Sequence, residues 1–175
     1  MQRGEMEMNK IVLSVLVDNT AGVLSRVSGL FSRRGYNIDS LTVGETENKD
    51  FSKMTIVAHG EDEILEQIYK QVAKLEDVRE VLVLQDGTSV TRELILCKVE
   101  VVAEQRQQVI AIADIFRAKI VDVAQDSLMV ELTGNQSKLD AFIGLLEGFK
   151  IKELVRTGVT GLRRGKADML ADEFD

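Results

Sequence analysis

The sequence predicts an α+β protein built from two βαββαβ units in tandem. Three observations carry this. β-branched, leucine-rich runs of strand length alternate with stretches whose apolar residues recur at helical spacing. The order of elements starts again after a short polar turn. A chain of 175 residues with 45% hydrophobic side chains can fill a core in each half.

The first unit opens with a strand over residues 10–18, rich in Val, Ile and Leu. Asp18-Asn19-Thr20-Ala21-Gly22 cannot comfortably continue it. Val23, Val27, Leu30 and Phe31 then recur at helical spacing, so a helix is expected over residues 22–34, stopped by Gly35. Strand 36–44, a polar loop at 45–50, strand 52–59, helix 62–75 and strand 78–85 complete the unit. In the second helix Ile64, Ile68, Val72 and Leu75 line one face while Glu66, Lys70 and Lys74 line another, as for a helix covering one side of a sheet.

After Asp86-Gly87-Thr88-Ser89 the second unit runs strand 93–102, helix 105–117, strands 120–124 and 128–133, helix 137–147 and strand 151–156. Leu139, Phe142, Ile143 and Leu146 give its last helix an apolar stripe. The split near residues 86–91 defines domains at 9–86 and 92–175. Leu30-Phe31-Ser32-Arg33 finds a repeat counterpart in Ile115-Phe116-Arg117-Ala118. The second unit has no equivalent of residues 18–22, so only the first carries a candidate binding loop.

Composition removes several function classes. Lys+Arg 22 against Asp+Glu 29 gives a net charge of -7, without the basic face or helix-turn-helix of a nucleic-acid reader. A single cysteine, Cys97, excludes an internal disulfide and suits the reducing cytoplasm. No apolar run reaches the roughly 18–20 residues that span a bilayer, residues 1–7 lack the apolar core of a signal peptide, and the first eight or so residues read as a frayed, solvated start. His59, the only histidine, reads as a surface or edge residue rather than a metal ligand or base, and Cys97, in an apolar strand, reads as a packing residue. No nucleophile–base pair or metal-ligating set is present, so no catalytic residue and no cofactor are expected in this chain. Arg163-Arg164, in a glycine-bounded segment, reads as a solvated pair or a contact to a partner.

The loop at residues 18–22 is therefore the informative feature. Its amides stand at a helix N-terminus, where unpaired donors hold an incoming carboxylate. An amino acid needs donors for its carboxylate, acceptors for its ammonium and an apolar wall. Amides of Ala21, Gly22 and Val23 supply the first, side-chain oxygens of Asn19 and Asn37 the second, with Thr20 beside them. Val23, Leu24 and Ile38 supply the third, each buried methyl contributing about 0.8 kcal/mol. Gly22 allows close approach. The competing reading of residues 19–22 is an ordinary turn and helix cap.

The first half resembles an ACT domain, a ferredoxin-like βαββαβ module that binds amino acids, and the second half a C-terminal ferredoxin-like domain. Residues 18–27 (DNTAGVLSRV) with 30–43 (LFSRRGYNIDSLTV) resemble, more narrowly, the regulatory or small subunit of acetohydroxyacid (acetolactate) synthase. The likeness continues through Lys53-Met54-Thr55-Ile56 and residues 92–96 to residues 156–165, while 166–175 match nothing. It implies a non-catalytic protein that docks on a catalytic subunit using thiamine diphosphate, Mg2+ and FAD. The small subunit activates that partner and confers feedback inhibition by valine in branched-chain amino-acid biosynthesis. It also implies a homodimer through the ACT domains, with the effector between them. Asn19 and Gly22 are the loop residues of that site, and Asn37 is supplied across the interface. The alternatives are an ACT protein regulating a different enzyme or transcription, and a small enzyme on the same scaffold.

Overall fold

A computed structural model describes residues 8–165. Residues 1–7 of the frayed start expected over the first eight or so residues, and the unmatched tail at 166–175, lie outside the described residues. Two compact units emerge, one of residues up to 90 together with those from 159, the other of residues 91–158.

In the first unit the order is β1 (Asn9–Asp18), α1 (Val23–Arg34), β2 (Ile38–Glu45), β3 (Phe51–Gly60), α2 (Asp62–Ala73) and β4 (Val78–Val83), with sheet order β2-β3-β1-β4. All pairings are antiparallel, β1 lying between β3 and β4. Alternate residues of β1 (Ile11, Leu13, Val15, Val17) and of β3 (Met54, Ile56, Ala58) form a core with Val23, Val27, Leu30 and Phe31 of α1 and Leu65, Ile68, Tyr69 and Val72 of α2. Both helices thus cover one face, as the period-2 strands and period-3.6 helices require.

The second unit repeats this with β5 (Ser89–Glu100), α3 (Ala103–Ile115), β6 (Lys119–Val123), β7 (Ser127–Gly134), α4 (Gln136–Leu145) and β8 (Lys150–Arg156), in sheet order β6-β7-β5-β8. Its core joins Ile95, Cys97 and Val99 to Val109, Ala113, Leu139, Phe142 and Leu146. Two βαββαβ modules with antiparallel sheets are therefore the architecture. β5 starts at Ser89, earlier than the expected residue 93, which shortens the linker.

Two further details differ from the sequence expectation. The repeat register is one: Tyr36 N–H donates to the Phe31 carbonyl at 2.9 Å and Ala118 N–H to the Ala113 carbonyl at 2.8 Å. The residues before them, Gly35 at φ 69° and Arg117 at φ 56°, both end their helices in the left-handed region. Phe31 thus corresponds to Ala113, not Phe116. The other is β9 (Thr160–Arg163), which pairs with β5 and had no sequence signal. The segment from Val159, placed by the sequence reading in domain 92–175, packs with the first unit. Thr42 Oγ1 donates to the Val159 carbonyl at 3.0 Å and Val159 N–H to Ser40 Oγ at 2.9 Å. Arg163 donates to the Val83 carbonyl at 3.4 Å.

Candidate functional site

Two ion pairs fix the loop between β1 and α1. Asp18, the last residue of β1, takes both its oxygens to Arg79 at 2.7 and 2.6 Å. Arg79 is the extra residue where the β1–β4 register shifts, Leu16 facing Glu80 and Val17 facing Val78; the bulge re-aims its side chain. On the helix side Arg26 donates from Nε and Nη2 to Asp77 at 2.5 and 3.1 Å. That contact holds the Asp77 carboxyl below the usual aspartate range, and Asp77 in turn raises the Arg26 guanidinium. Asp18 and Asp77 are thus committed to arginines, and no acidic side chain occupies the first turn of α1.

Gly22 caps α1 with φ 87°, without a side-chain hydrogen bond to the first turn. The donors of that turn are left to solvent or a ligand. Thr20, Ala21 and Gly22 are exposed and so is Leu24, whereas Val23 is 3% exposed and belongs to the core rather than to an open wall. Asn19 is exposed but engaged: Nδ2 donates to the Lys49 carbonyl at 2.8 Å, and Oδ1 accepts from Ser52 Oγ at 3.0 Å.

Asn37 and Ile38 stand elsewhere. The loop follows Asp18, which faces Phe51, while Ile38 faces Ala58 at the other end of β3. At strand rise, the two ends are roughly 23 Å apart. One chain therefore gathers Asn19, Thr20, Ala21, Gly22 and Leu24, and does not gather Asn37 and Ile38 with them. Asn37 is exposed, with no side-chain hydrogen-bond partner among the described residues.

The equivalent place in the second module is closed. Val101 stands where Asn19 stands, its N–H donating to the Asp126 carbonyl at 2.9 Å as that of Asn19 donates to Asp50 at 2.8 Å. α3 starts at Ala103, so residues 101–102 alone separate strand and helix. The Gln105 side chain reaches back to Val102 N–H at 3.4 Å, and Arg106 spans the Ala124 and Gln125 carbonyls at 3.1 and 2.8 Å.

The other titratable candidates are structural. His59 meets Asp39 on the neighbouring strand, both partly exposed. Cys97 is fully buried, and burial pushes its thiol up to about 11. No group of three or more His, Cys, Asp or Glu among the described residues could hold a metal ion. No helix among them is long and apolar enough to cross a membrane.

Comparison with known proteins gives this arrangement a family. Residues 13–80 match the AHAS small subunit-like ACT domain, and residues 92–165 match the small subunit of acetolactate synthase. A probable acetolactate synthase small subunit of Methanothermobacter thermautotrophicus is 49% identical over 166 residues, 94% of this chain and 99% of that protein. The acetolactate synthase small subunit of Mycobacterium bovis is 52% identical over 87% of this chain and 91% of its own length. The crystal structure of the Thermotoga maritima acetolactate synthase small subunit superposes with a TM-score of 0.82 at 40% identity, covering 90% of this chain and 98% of the other. With both modules matched in order, the chain belongs to the acetolactate synthase small-subunit family, a regulatory rather than catalytic component.

Proposed function

We propose that this chain docks on the catalytic subunit of acetolactate synthase in the cytoplasm, activates it, and makes it sensitive to feedback inhibition by valine. Effector binding belongs to the module within residues 9–86, and the module within residues 92–158 is a second regulatory domain, the segment from Val159 packing with the first unit. Thiamine diphosphate, Mg2+ and FAD belong to the catalytic partner. The effector site consists of Asn19, Thr20, Ala21, Gly22, Val23 and Leu24 of one copy with Asn37 and Ile38 of a second copy.

One observation carries the site: its two parts lie toward opposite ends of the sheet, Asn37 and Ile38 where the edge strand β2 begins, and the loop after β1, two strands in, at the end where β2 finishes. A two-fold antiparallel pairing of β2 with the same strand of another copy sets the start of one against the end of the other. Such pairing satisfies an open sheet edge and completes two equivalent sites at once. The N-terminus of α1, capped by Gly22 without any side-chain hydrogen bond, then faces the ligand carboxylate, an arrangement worth about 0.3–1 kcal/mol for an exposed charge. Asn37 accepts from the ammonium, and Leu24 with the partner copy's Ile38 receives the side chain. Two extra methyl groups favour valine over alanine by roughly tenfold.

The experiment is isothermal titration of the purified chain with valine, D-valine and glycine, alongside pyruvate condensation by the reconstituted complex. Valine binds and suppresses turnover; D-valine and glycine do neither. Absence of valine binding, with tight binding of another metabolite, refutes the effector assignment.

A further inference from the structure

We propose that Asn19 acts as a strut, locking the effector loop to the β2–β3 hairpin, and that Ser52 is the positioning residue that sets it. This rests on the reading of residues 19–24 as an effector loop. It replaces the direct ammonium contact that the residue type alone suggests for Asn19.

The hydrogen bonds fix which way the amide points. The Lys49 carbonyl can only accept, so the atom facing it at 2.8 Å is the NH2 group of Asn19. The Asn19 oxygen therefore faces Ser52, whose hydroxyl donates to it at 3.0 Å. Ser52 is 8% exposed and lies on β3 between Val17 of β1 and Glu45 of β2. A third tie runs from Asn19 N–H to the Asp50 carbonyl at 2.8 Å.

The hairpin that receives these bonds is itself folded tightly. Asn48 N–H donates to Thr46 Oγ1 at 3.1 Å, Asp50 N–H to Asn48 Oδ1 at 3.0 Å, and Phe51 N–H to the Asn48 carbonyl at 3.1 Å. Loop and hairpin thus form one hydrogen-bonded body at the end of the sheet where β2 finishes. A ligand held by the loop amides acts on that body as a whole. Val101, at the equivalent place of the second module, keeps the backbone tie but has no side chain that can make the other two.

Three variants separate a strut from a ligand contact. Asn19→Asp preserves shape and gives an ammonium a better acceptor, but sets a carboxylate oxygen against the Lys49 carbonyl. Ser52→Ala removes a hydroxyl committed to Asn19. Ser52→Thr keeps it. Proton exchange of the Asn19, Asp50 and Phe51 amides is followed by NMR on the full chain without ligand, and valine affinity by calorimetry.

Exchange is expected to quicken several-fold in Asn19→Asp and Ser52→Ala and to return towards the parent in Ser52→Thr. Valine affinity is expected to fall roughly two- to tenfold in Ser52→Ala, the scale of a neutral hydrogen bond, and at least as far in Asn19→Asp. Unchanged exchange in both disruptive variants overturns the strut, as does valine binding to Asn19→Asp that equals or exceeds the parent's. If the parent itself binds no valine, the effector reading fails while the exchange rates still decide whether the strut exists.

Discussion

At Gly22 the backbone and the space around it restrict the side chain in different ways. Its φ of 87° disfavours any L-residue with a Cβ, and that Cβ would lie 2.9 Å from Arg26 Nη1. The guanidinium can shift, so Gly22→Asn, which tolerates the left-handed region, folds with modestly lowered stability. Gly22→Asp adds a negative charge at the point where the proposed site receives the ligand carboxylate. Calorimetry should show valine binding abolished by aspartate and retained, though weakened, by asparagine; equal losses would exclude charge repulsion as the cause. Arg26 also makes a pH prediction. Asp77 is depressed by the Arg26 guanidinium, so it contributes stability above the ordinary aspartate pKa near 3.9 that is lost as pH falls through its lower folded value. In Arg26→Gln the Asp77 carboxyl should titrate at higher pH, nearer its ordinary value, read by carbon NMR, and the part of the acid-side loss of stability that Asp77 contributes should shrink, the variant being less stable already at neutral pH.

At the scale of elements, the correspondence between modules shows how one packing problem was solved twice. Phe31, 1% exposed, fills the first core and meets Tyr36 edge-on at 6.3 Å between ring centres. Its counterpart Ala113 is fully buried and leaves that volume to others, while Phe116 meets Phe142 edge-on at 5.5 Å. Ala113→Phe should therefore overpack the second core and lower stability by about 1–3 kcal/mol, whereas Phe31→Ala should cost about 3–5 kcal/mol. Urea unfolding measures both, and a neutral Ala113→Phe would show that the second core has room. Aromatic identity led the sequence comparison to pair Phe31 with Phe116, because a motif match reads residue type while the repeat register is fixed by backbone hydrogen bonds. Long periodic elements such as β1, α1 and α2 were legible because burial repeats along them. β9 was not, since Thr160-Gly161-Leu162-Arg163 is too short for a period and owes its conformation to pairing with β5. The candidate loop was legible for a comparable reason: an extended run meets Gly22 and a helix within a few residues. What the sequence could not disclose was that Asn19 is already bonded to Lys49 and Ser52, because those partners come from a hairpin some thirty residues away.

For the whole molecule, the two-copy site can be separated from a one-chain site by complementation. In a two-fold dimer each site takes its loop from one copy and Asn37 from the other. Gly22→Asp alone damages both sites of a homodimer, and so does Asn37→Ala. In a mixed dimer the two lesions fall on the same site, and the second site, built from the intact loop of one chain and the intact Asn37 of the other, is restored. Random mixing makes half of the dimers mixed, each with one working site of two, so about one quarter of the parental valine stoichiometry should return. A site built within one chain would return none. The proposed function asks the same arrangement to couple to the catalytic partner. A coupling free energy of about 1–3 kcal/mol, or roughly 5–150-fold in affinity, is enough for valine to favour a less active complex. If docking uses a surface other than the loop, Gly22→Asp should still activate pyruvate condensation while leaving it resistant to valine. The mixed dimers should recover partial sensitivity in step with their recovered binding. Loss of activation together with valine response, in variants that remain folded and bound to the catalytic subunit, would show that the effector site and the activating surface are one.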